Sequence, residues 1–142
     1  MKKSQWRLKY HTKMKGHISF KYKFSNYNYY PIVSVSLSNK KLSTKTSALI
    51  DSGASISIFS ETVANTLNIN IESGEKRVLG GVGGRIVGYV HNVKIKVAGK
   101  SFICPVVFSR EYNVSINLLG RDTFFEKFRI TFDEKEKTVI LQ

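Results

Sequence analysis

The sequence predicts a mostly β domain with one or two short helices, and three observations favour this fold class. Short stretches alternate apolar and polar side chains, which is the period of a half-buried strand. Turn-forming residues separate these stretches at short intervals. The apolar spacing of a helix appears in few places. With 142 residues, 42% of them hydrophobic, the chain can form one domain with its own core.

The first strand predictions lie before residue 51. Residues 17–24 alternate and predict an edge strand whose lysines face water. Residues 25–30 are rich in Asn and Tyr and predict a turn or loop. Residues 32–37 and 44–50 predict two further strands, joined by a turn at residues 38–41.

A short helix is predicted after the next strand, residues 56–59. The Ser60 hydroxyl can accept a hydrogen bond from the first turn of a helix, which makes Ser60 a candidate N-cap. Val63, Ala64 and Leu67 have the spacing of one helical face.

The second half of the chain continues the β pattern. Residues 76–98 predict a hairpin around a glycine cluster, and residues 101–108 predict the strand that follows. Residues 121–128 predict a second short helix. Residues 129–133 and 138–141 predict two strands joined by a charged turn.

The positive charge is concentrated near the N-terminus. Residues 1–24 contain eight of the 23 Lys and Arg residues and no acid, within a net charge of +13. We therefore expect residues 1–16 to form a basic arm and residues 17–142 to form the folded domain. Aromatic residues lie among these lysines, so the arm could contact nucleic acid or an acidic partner. A solvated arm is the simpler interpretation.

Composition excludes several classes of protein. No apolar run approaches the roughly 18 residues that span a membrane. Lys2 and Lys3 are not followed by the apolar core of a signal peptide. The single cysteine, Cys104, allows no internal disulfide and predicts a buried structural thiol. We expect a cytoplasmic protein without membrane contact.

The segment Asp51-Ser52-Gly53-Ala54 is the strongest candidate for chemistry. An isolated Asp-Ser-Gly is typical of an ordinary turn, because Asp and Ser bond nearby backbone groups and Gly allows positive φ. Here a predicted buried strand ends directly before Asp51. Such a strand can hold a carboxylate with the accuracy that catalysis requires.

A glycine cluster forms the second candidate. Gly80, Gly81, Gly83 and Gly84 surround Val82 between two apolar runs, which predicts a mobile hairpin tip. A phosphate-binding loop would need Gly-Lys-Ser/Thr followed by a helix, and a strand pattern follows here instead. A purely structural hairpin remains the alternative to a tip that covers a substrate.

The third candidate segment is Leu118-Leu119-Gly120-Arg121-Asp122, which follows the other two along the chain. Asp51-Ser52-Gly53-Ala54, the glycine cluster of residues 80–84 and this segment follow one another along the chain. The order resembles that of the retropepsin-type aspartic peptidases, a family with retroviral, retrotransposon, cellular and prokaryotic members. The resemblance covers roughly residues 17–142.

The resemblance implies a closed acid-protease barrel with a flap hairpin, active as a symmetric homodimer. It implies that Asp51 is the catalytic carboxylate and that the Ser52 hydroxyl joins the two active-site loops. Gly53 and Ala54 would meet the backbone of an extended polypeptide substrate. The flap would be formed by Gly80, Gly81, Val82, Gly83 and Gly84, while Leu118, Leu119, Gly120 and Arg121 would support the active-site loop.

No cofactor or metal is expected. His11, His17 and His91 lack the spacing of metal ligands, and Cys104 is the only thiol. Two carboxylates that share one proton can activate a water without a metal. The sequence has one Asp-Ser-Gly, so the second carboxylate would be Asp51 of another copy.

One position departs from the family. Many retroviral members have an acidic residue after Asp-Thr/Ser-Gly-Ala, and it pairs with the arginine of the Gly-Arg pair. Here that position is Ser55, so the expected partner of Arg121 is missing. Asp122 or a residue of a second copy could replace it.

Two questions stay open on the sequence alone. The C-terminal hairpin with Val139, Ile140 and Leu141 is one candidate for the dimer interface, and an N-terminal strand is another. The alternative function is a non-catalytic module of the same fold, used for dimerisation or binding, whose basic arm contacts nucleic acid or an acidic partner.

Overall fold

The structure is a computed structural model that describes residues 11–14, 16–81, 83–113 and 115–142. Most of the described residues lie in strands, which confirms the mostly β fold class. The strands are β1 (His11–Met14), β2 (His17–Lys21), β3 (Lys23–Ser25), β4 (Asn28–Tyr30), β5 (Ile32–Asn39), β6 (Leu42–Ile50), β7 (Ser57–Ser60), β8 (Glu75–Gly81), β9 (Gly84–Val97), β10 (Lys100–Ser109), β11 (Asn117–Leu119), β12 (Ile130–Asp133) and β13 (Thr138–Leu141). The helical parts are α1 (Glu61–Thr66), a 3-10 turn (Ile71–Ser73) and an irregular helical segment (Arg121–Phe125).

The main sheet has seven strands in the order β10-β7-β11-β6-β5-β9-β8. Strand β9 also pairs with β10, so the strand pairing closes into a ring. This is possible because β9 has 14 residues: its first half pairs with β8, and its second half pairs with β10 and β5. Large apolar side chains fill the core, among them Leu37, Phe59, Ile95, Phe108 and Leu119.

Strand β11 lies between β6 and β7, and this position organises the middle of the sheet. It runs parallel to β6, with Leu118 opposite Leu49, and antiparallel to β7, with Leu118 opposite Ile58. The chain segments after β6, before β7 and after β11 therefore meet at one edge of the sheet.

A second sheet has the strand order β1-β2-β13-β12. The prediction that residues 17–24 form an edge strand is wrong. Strand β2 lies between β1 and β13 and ends at Lys21. Alternation cannot distinguish an edge from a central strand, since the partner β13 lies more than a hundred residues away. The next residue, Tyr22, is buried, and its hydroxyl donates to Glu134 at 2.8 Å. Lys21 and Lys23 face water as expected.

Residues 25–30 are part of a hairpin and do not form a simple loop. Strands β3 and β4 pair around Asn26 and Tyr27, whose φ angles are 46° and 64°. The aromatic residues favour extended structure. The neighbouring asparagines are typical of turns, and they led to the prediction of a turn or loop. The hairpin, Lys23–Tyr30, is called the aromatic hairpin below.

The first predicted helix is confirmed and the second is only partly formed. Ser60 caps α1, because its hydroxyl accepts a hydrogen bond from the Val63 N–H. In the segment predicted as helix 121–128, Asp122 is extended (φ −57°, ψ 121°) and Thr123 has φ 64°. After this kink, Glu126 N–H donates to the Thr123 carbonyl and Lys127 N–H donates to the Phe124 carbonyl, both at 3.1 Å. The continuous helix was therefore a wrong prediction.

The predicted arm, residues 1–16, lies mostly outside the described residues. Its residues 11–14 form β1, which pairs with β2. Among the described residues, no helix has the length and apolar composition needed to cross a lipid bilayer.

Cys104 is fully buried on β10, as predicted for a structural thiol. Burial, followed by the charge of Asp122, raises the pKa of the thiol to about 11. We expect Ellman's reagent at pH 8 to label the native protein at least about a hundredfold more slowly than the urea-unfolded protein, because the thiolate is the nucleophile. Equal rates would show that the β10 core opens readily.

Candidate active site

Asp51 is fixed by the ends of two neighbouring strands. It directly follows β6, and its own N–H donates to the Leu119 carbonyl of β11 at 3.0 Å. The next residues turn back towards it: Gly53 N–H donates to Asp51 Oδ1 at 2.9 Å, and Ala54 N–H donates to the Asp51 carbonyl at 3.2 Å. The turn therefore orients the half-buried carboxylate through its own backbone.

The other side of this turn is bonded to the segment that follows β11. Arg121 N–H donates to the Ala54 carbonyl, and Asp122 N–H donates to the Ser55 carbonyl, both at 2.9 Å. These two bonds explain why the backbone at Asp122 is extended and not helical. Residues 51–55, called the Asp51 loop below, are thus held between β11 and the irregular helical segment.

Gly120 lies directly against the strand that follows the loop. A Cβ atom at this position would lie 2.4 Å from the carbonyl carbon and oxygen of Ile56. The Gly120 N–H also donates to the Ser57 hydroxyl at 3.0 Å, and Ser57 is fully buried. The absence of a side chain at Gly120 permits this close backbone contact.

In the described part of the chain, Arg121 forms no ion pair, and Ser55 stands where the resemblance would place its acidic partner. The ion pairs found in the described part of the chain involve Arg77, Arg110 and Lys137. The side chain of Arg121 is exposed, and the Asp122 carboxylate accepts a hydrogen bond from the Thr123 hydroxyl instead. The loop and the helical segment are joined here by the backbone bonds of residues 54–55 and 121–122.

A cleft of about 640 Å³ lies between the Asp51 loop and the β8–β9 hairpin. Asp51, Gly53 and Ala54 line it on the loop side, and Leu118 lines it from β11. On the hairpin side it is lined by Gly80, Gly81, Gly83 and Gly84, while the predicted tip residue Val82 lies outside the described residues. Ser52 lies in the loop itself, and Leu119, Gly120 and Arg121 lie beside it, but none of these four residues lines the cleft.

The remaining walls contain residues that motif analysis did not identify. Ile56, Ile58, Leu79 and Ile86 add apolar surface to the cleft. In the sequence, the alternation of apolar and polar residues identifies these positions only as parts of strands. They line one cleft because the ring of paired strands brings them together.

Glu111, Tyr112 and Asn113 also line the cleft, in the segment after β10. The Glu111 carboxylate accepts a hydrogen bond from the Val87 N–H, and the Ser109 hydroxyl donates to the Val87 carbonyl. This segment therefore anchors β9 at the base of the glycine-rich hairpin. No motif in the sequence indicated it.

Tyr112 shares the electrostatic environment of Asp51. Its hydroxyl donates to the Ile116 carbonyl at 2.6 Å. Burial raises the pKa of the phenol, and the negative charge of Asp51 raises it further. The two groups belong to one site, although 61 positions separate them in the sequence.

A model of a known protein family matches most of the chain. The family model described as aspartyl protease matches residues 33–123, which is well over half of the chain and contains the Asp51 loop, the glycine-rich hairpin and β11. No curated protein matches the chain. The chain therefore belongs to the aspartyl protease family and is retropepsin-like.

Proposed function

We propose that the protein is an aspartic endopeptidase, in which a water molecule lies between the Asp51 carboxylates of a symmetric homodimer. One observation carries this proposal: the carboxylate at the end of β6 lines a cleft opposite a glycine-rich hairpin. Two strands and the Asp51 loop hold that carboxylate in place. Family membership supports peptide-bond hydrolysis in general.

The chemistry requires a second carboxylate at the same water. Within the described residues, Glu111 is the other carboxylate that lines the cleft, and it accepts the N–H of Val87. A second Asp51, related by a dyad, would provide a symmetric pair without disturbing that contact. Two adjacent carboxylates cannot both ionise easily, so the pair holds one proton.

Hydrolysis then needs no covalent intermediate. The ionised carboxylate takes a proton from the water, whose oxygen attacks the peptide carbonyl carbon. The protonated carboxylate gives its proton to the carbonyl oxygen, so that a gem-diol forms. The carboxylate that took the proton of the water passes it to the leaving nitrogen as the C–N bond breaks. A hydroxyl of the gem-diol returns its proton to the other carboxylate, which leaves a carboxylic acid and an amine as products. The pair ends with one proton, as it began.

The other residues would position the substrate. We assign Gly53 and Ala54 to the backbone of an extended polypeptide, and Ser52, which is exposed beside Asp51, to contact with the partner loop. Gly80, Gly81, Gly83 and Gly84 would let the hairpin act as a flap. The apolar walls, including Ile58 and Ile86, favour hydrophobic side chains beside the cleaved bond.

A mixing experiment tests the shared site. Wild-type chains are incubated with a tenfold excess of Asp51→Asn chains until subunits exchange, and cleavage of a hydrophobic peptide library is measured. If each site needs two Asp51 carboxylates, the wild-type chains should lose about nine tenths of their activity, because most of them then pair with a variant chain. A pepstatin-like inhibitor should block the remaining cleavage.

The control is the same excess of Asp133→Asn chains, whose change lies in a surface turn where Asp133 accepts the Glu136 N–H. Because these chains are themselves expected to be active, this mixture should show about eleven times the activity of the wild-type chains alone. Unchanged activity with Asp51→Asn chains would mean that one Asp51 per site is sufficient. A wild-type dimer that cleaves no peptide would favour the non-catalytic binding module.

A further inference from the structure

The aromatic hairpin exposes apolar surface that its own subunit does not cover. Phe24 and Tyr29 are cross-strand partners with ring centroids 5.0 Å apart, and they are 63% and 48% exposed. Tyr27 at the tip is 98% exposed. Of the seven large hydrophobic residues exposed in the described part of the chain, three lie in this hairpin. Clustered exposure of this kind marks an interaction surface.

Tyr27 also adopts a backbone conformation that is unfavourable for its residue type. Its φ of 64° follows a φ of 46° at Asn26, as in the two-residue hairpin turns that favour Asn-Gly. A glycine at position 27 would relieve the strain of a bulky residue at positive φ. Within the subunit, the Tyr27 side chain forms no described contact that offsets this strain.

An apolar row connects the aromatic hairpin with the cleft. Register pairing places four residues of adjacent strands on one outward face of the main sheet. The row consists of Ile32, Leu49, Leu118 and Ile58. Phe24 and Ile32 line the same grooves beside the hairpin, one of which also includes Leu49. At the other end of the row, Leu118 and Ile58 line the cleft that contains Asp51.

We propose that the aromatic hairpin is the surface on which a second copy of this chain docks. The proposal rests on the proposed function, since the apolar row leads from the hairpin to a carboxylate that needs a second Asp51. An interface that joins two Asp51 loops must cover the surface beside them. The hairpin is continuous with that surface through Ile32 and Leu49.

The C-terminal hairpin is a poorer candidate for this contact. Val139 and Leu141 are buried in the core of their own chain, and β13 lies between β2 and β12. Its apolar face is therefore already covered. Of the two interface candidates considered from the sequence, the C-terminal hairpin therefore offers little free apolar surface through Val139 and Leu141.

The area available fits a weak to moderate dimer. With roughly 200 Å² per aromatic residue, the three exposed side chains offer about 400 Å² per subunit. A symmetric contact would bury about 800 Å² in total. Ile32 is already buried, but the half-buried Leu49, Leu118 and Ile58 bring the total to the roughly 1,000 Å² that specific interfaces need. We expect dimerisation to depend on protein concentration.

The test separates association from folding with Tyr27→Gly. Glycine suits the positive φ, so the melting temperature of the monomer at low concentration should be unchanged or higher. The dimer dissociation constant, measured by sedimentation, should rise at least about tenfold, because aromatic anchors dominate interface energies. A double variant, Phe24→Ser with Tyr29→Ser, should weaken the dimer further. Ile103→Ser changes an exposed residue of β10 and serves as the control with unchanged dimerisation.

Each outcome decides the proposal. A wild-type protein that stays monomeric at all concentrations, or hairpin variants that dimerise like the wild type, would overturn it. A dimer that is weakened by the hairpin variants but cleaves no peptide would support the docking surface and contradict the proposed function. Cleavage that falls with dimer content, and recovers at high protein concentration, would support both.

Discussion

Replacing Asp51 by asparagine is expected to lower kcat for peptide cleavage by at least about three orders of magnitude. An amide has nearly the same shape as a carboxylate but cannot take a proton from the attacking water. Both Asp51 residues of the proposed pair are lost at once, so the variant dimer has no group left to act as base or acid. Initial rates on one peptide, at several pH values, measure the effect.

The fold should survive this change. The amide oxygen of asparagine can still accept the Gly53 N–H, which Asp51 Oδ1 accepts at 2.9 Å. The circular dichroism spectrum and the dimer content should therefore match the wild type, and Asp133→Asn should cleave normally. A folded Asp51→Asn dimer with wild-type rates would exclude Asp51 as the catalytic group.

Tyr112 gives a second, spectroscopic readout of the same variant. The charge of Asp51 disfavours the phenolate, so its removal should lower the pKa of Tyr112. Burial is the larger cause of the raised pKa and is retained, so the pKa should fall only part of the way towards its ordinary value. Absorbance titration of the wild type and the variant, each with and without Tyr112→Phe, isolates this change.

Gly120→Ala is expected to lower the free energy of unfolding by about 3 kcal/mol or more. The added Cβ would lie 2.4 Å from two backbone atoms of Ile56, and backbone cannot move aside as a flexible side chain can. Either β11 or the start of β7 must shift. That shift would also disturb the hydrogen bond between Gly120 N–H and the Ser57 hydroxyl. Urea unfolding followed by fluorescence measures the loss.

The matched control is Gly81→Ala. Nothing lies within 4 Å of a Cβ at Gly81, and its φ is not in the positive range, so its stability should stay within about 0.5 kcal/mol of the wild type. If Gly120→Ala were equally stable, the close contact between β11 and Ile56 would not exist in solution. The difference between the two alanine variants thus measures the packing beneath the Asp51 loop.

Local patterns predicted those parts of the fold that depend on neighbours in sequence. The N-cap at Ser60 and the position of Asp51 at a strand end both follow from a few adjacent residues. The C-terminal strand, Thr138–Leu141, was also predicted with its observed bounds. In each of these cases the residue types themselves favour the observed backbone.

Features that depend on distant partners were missed. The central position of β2 follows from its pairing with β13, and the kink at Asp122 follows from its bond to Ser55. The cleft residues Glu111 and Tyr112 take their places only when β9 pairs with β10 and the ring closes. None of these partners can be recognised within a short window of the sequence.

The bonds between residues 54–55 and 121–122 have a consequence for the order of events during synthesis. A nascent chain that ends before residue 117 lacks both donors and the β11 strand to which Asp51 N–H is bonded. Such contacts between distant residues form late and fold slowly. The Asp51 loop therefore lacks these bonds until residues 117–122 have been synthesised, so any cleavage that depends on Asp51 is expected to begin only after most of the domain has been translated.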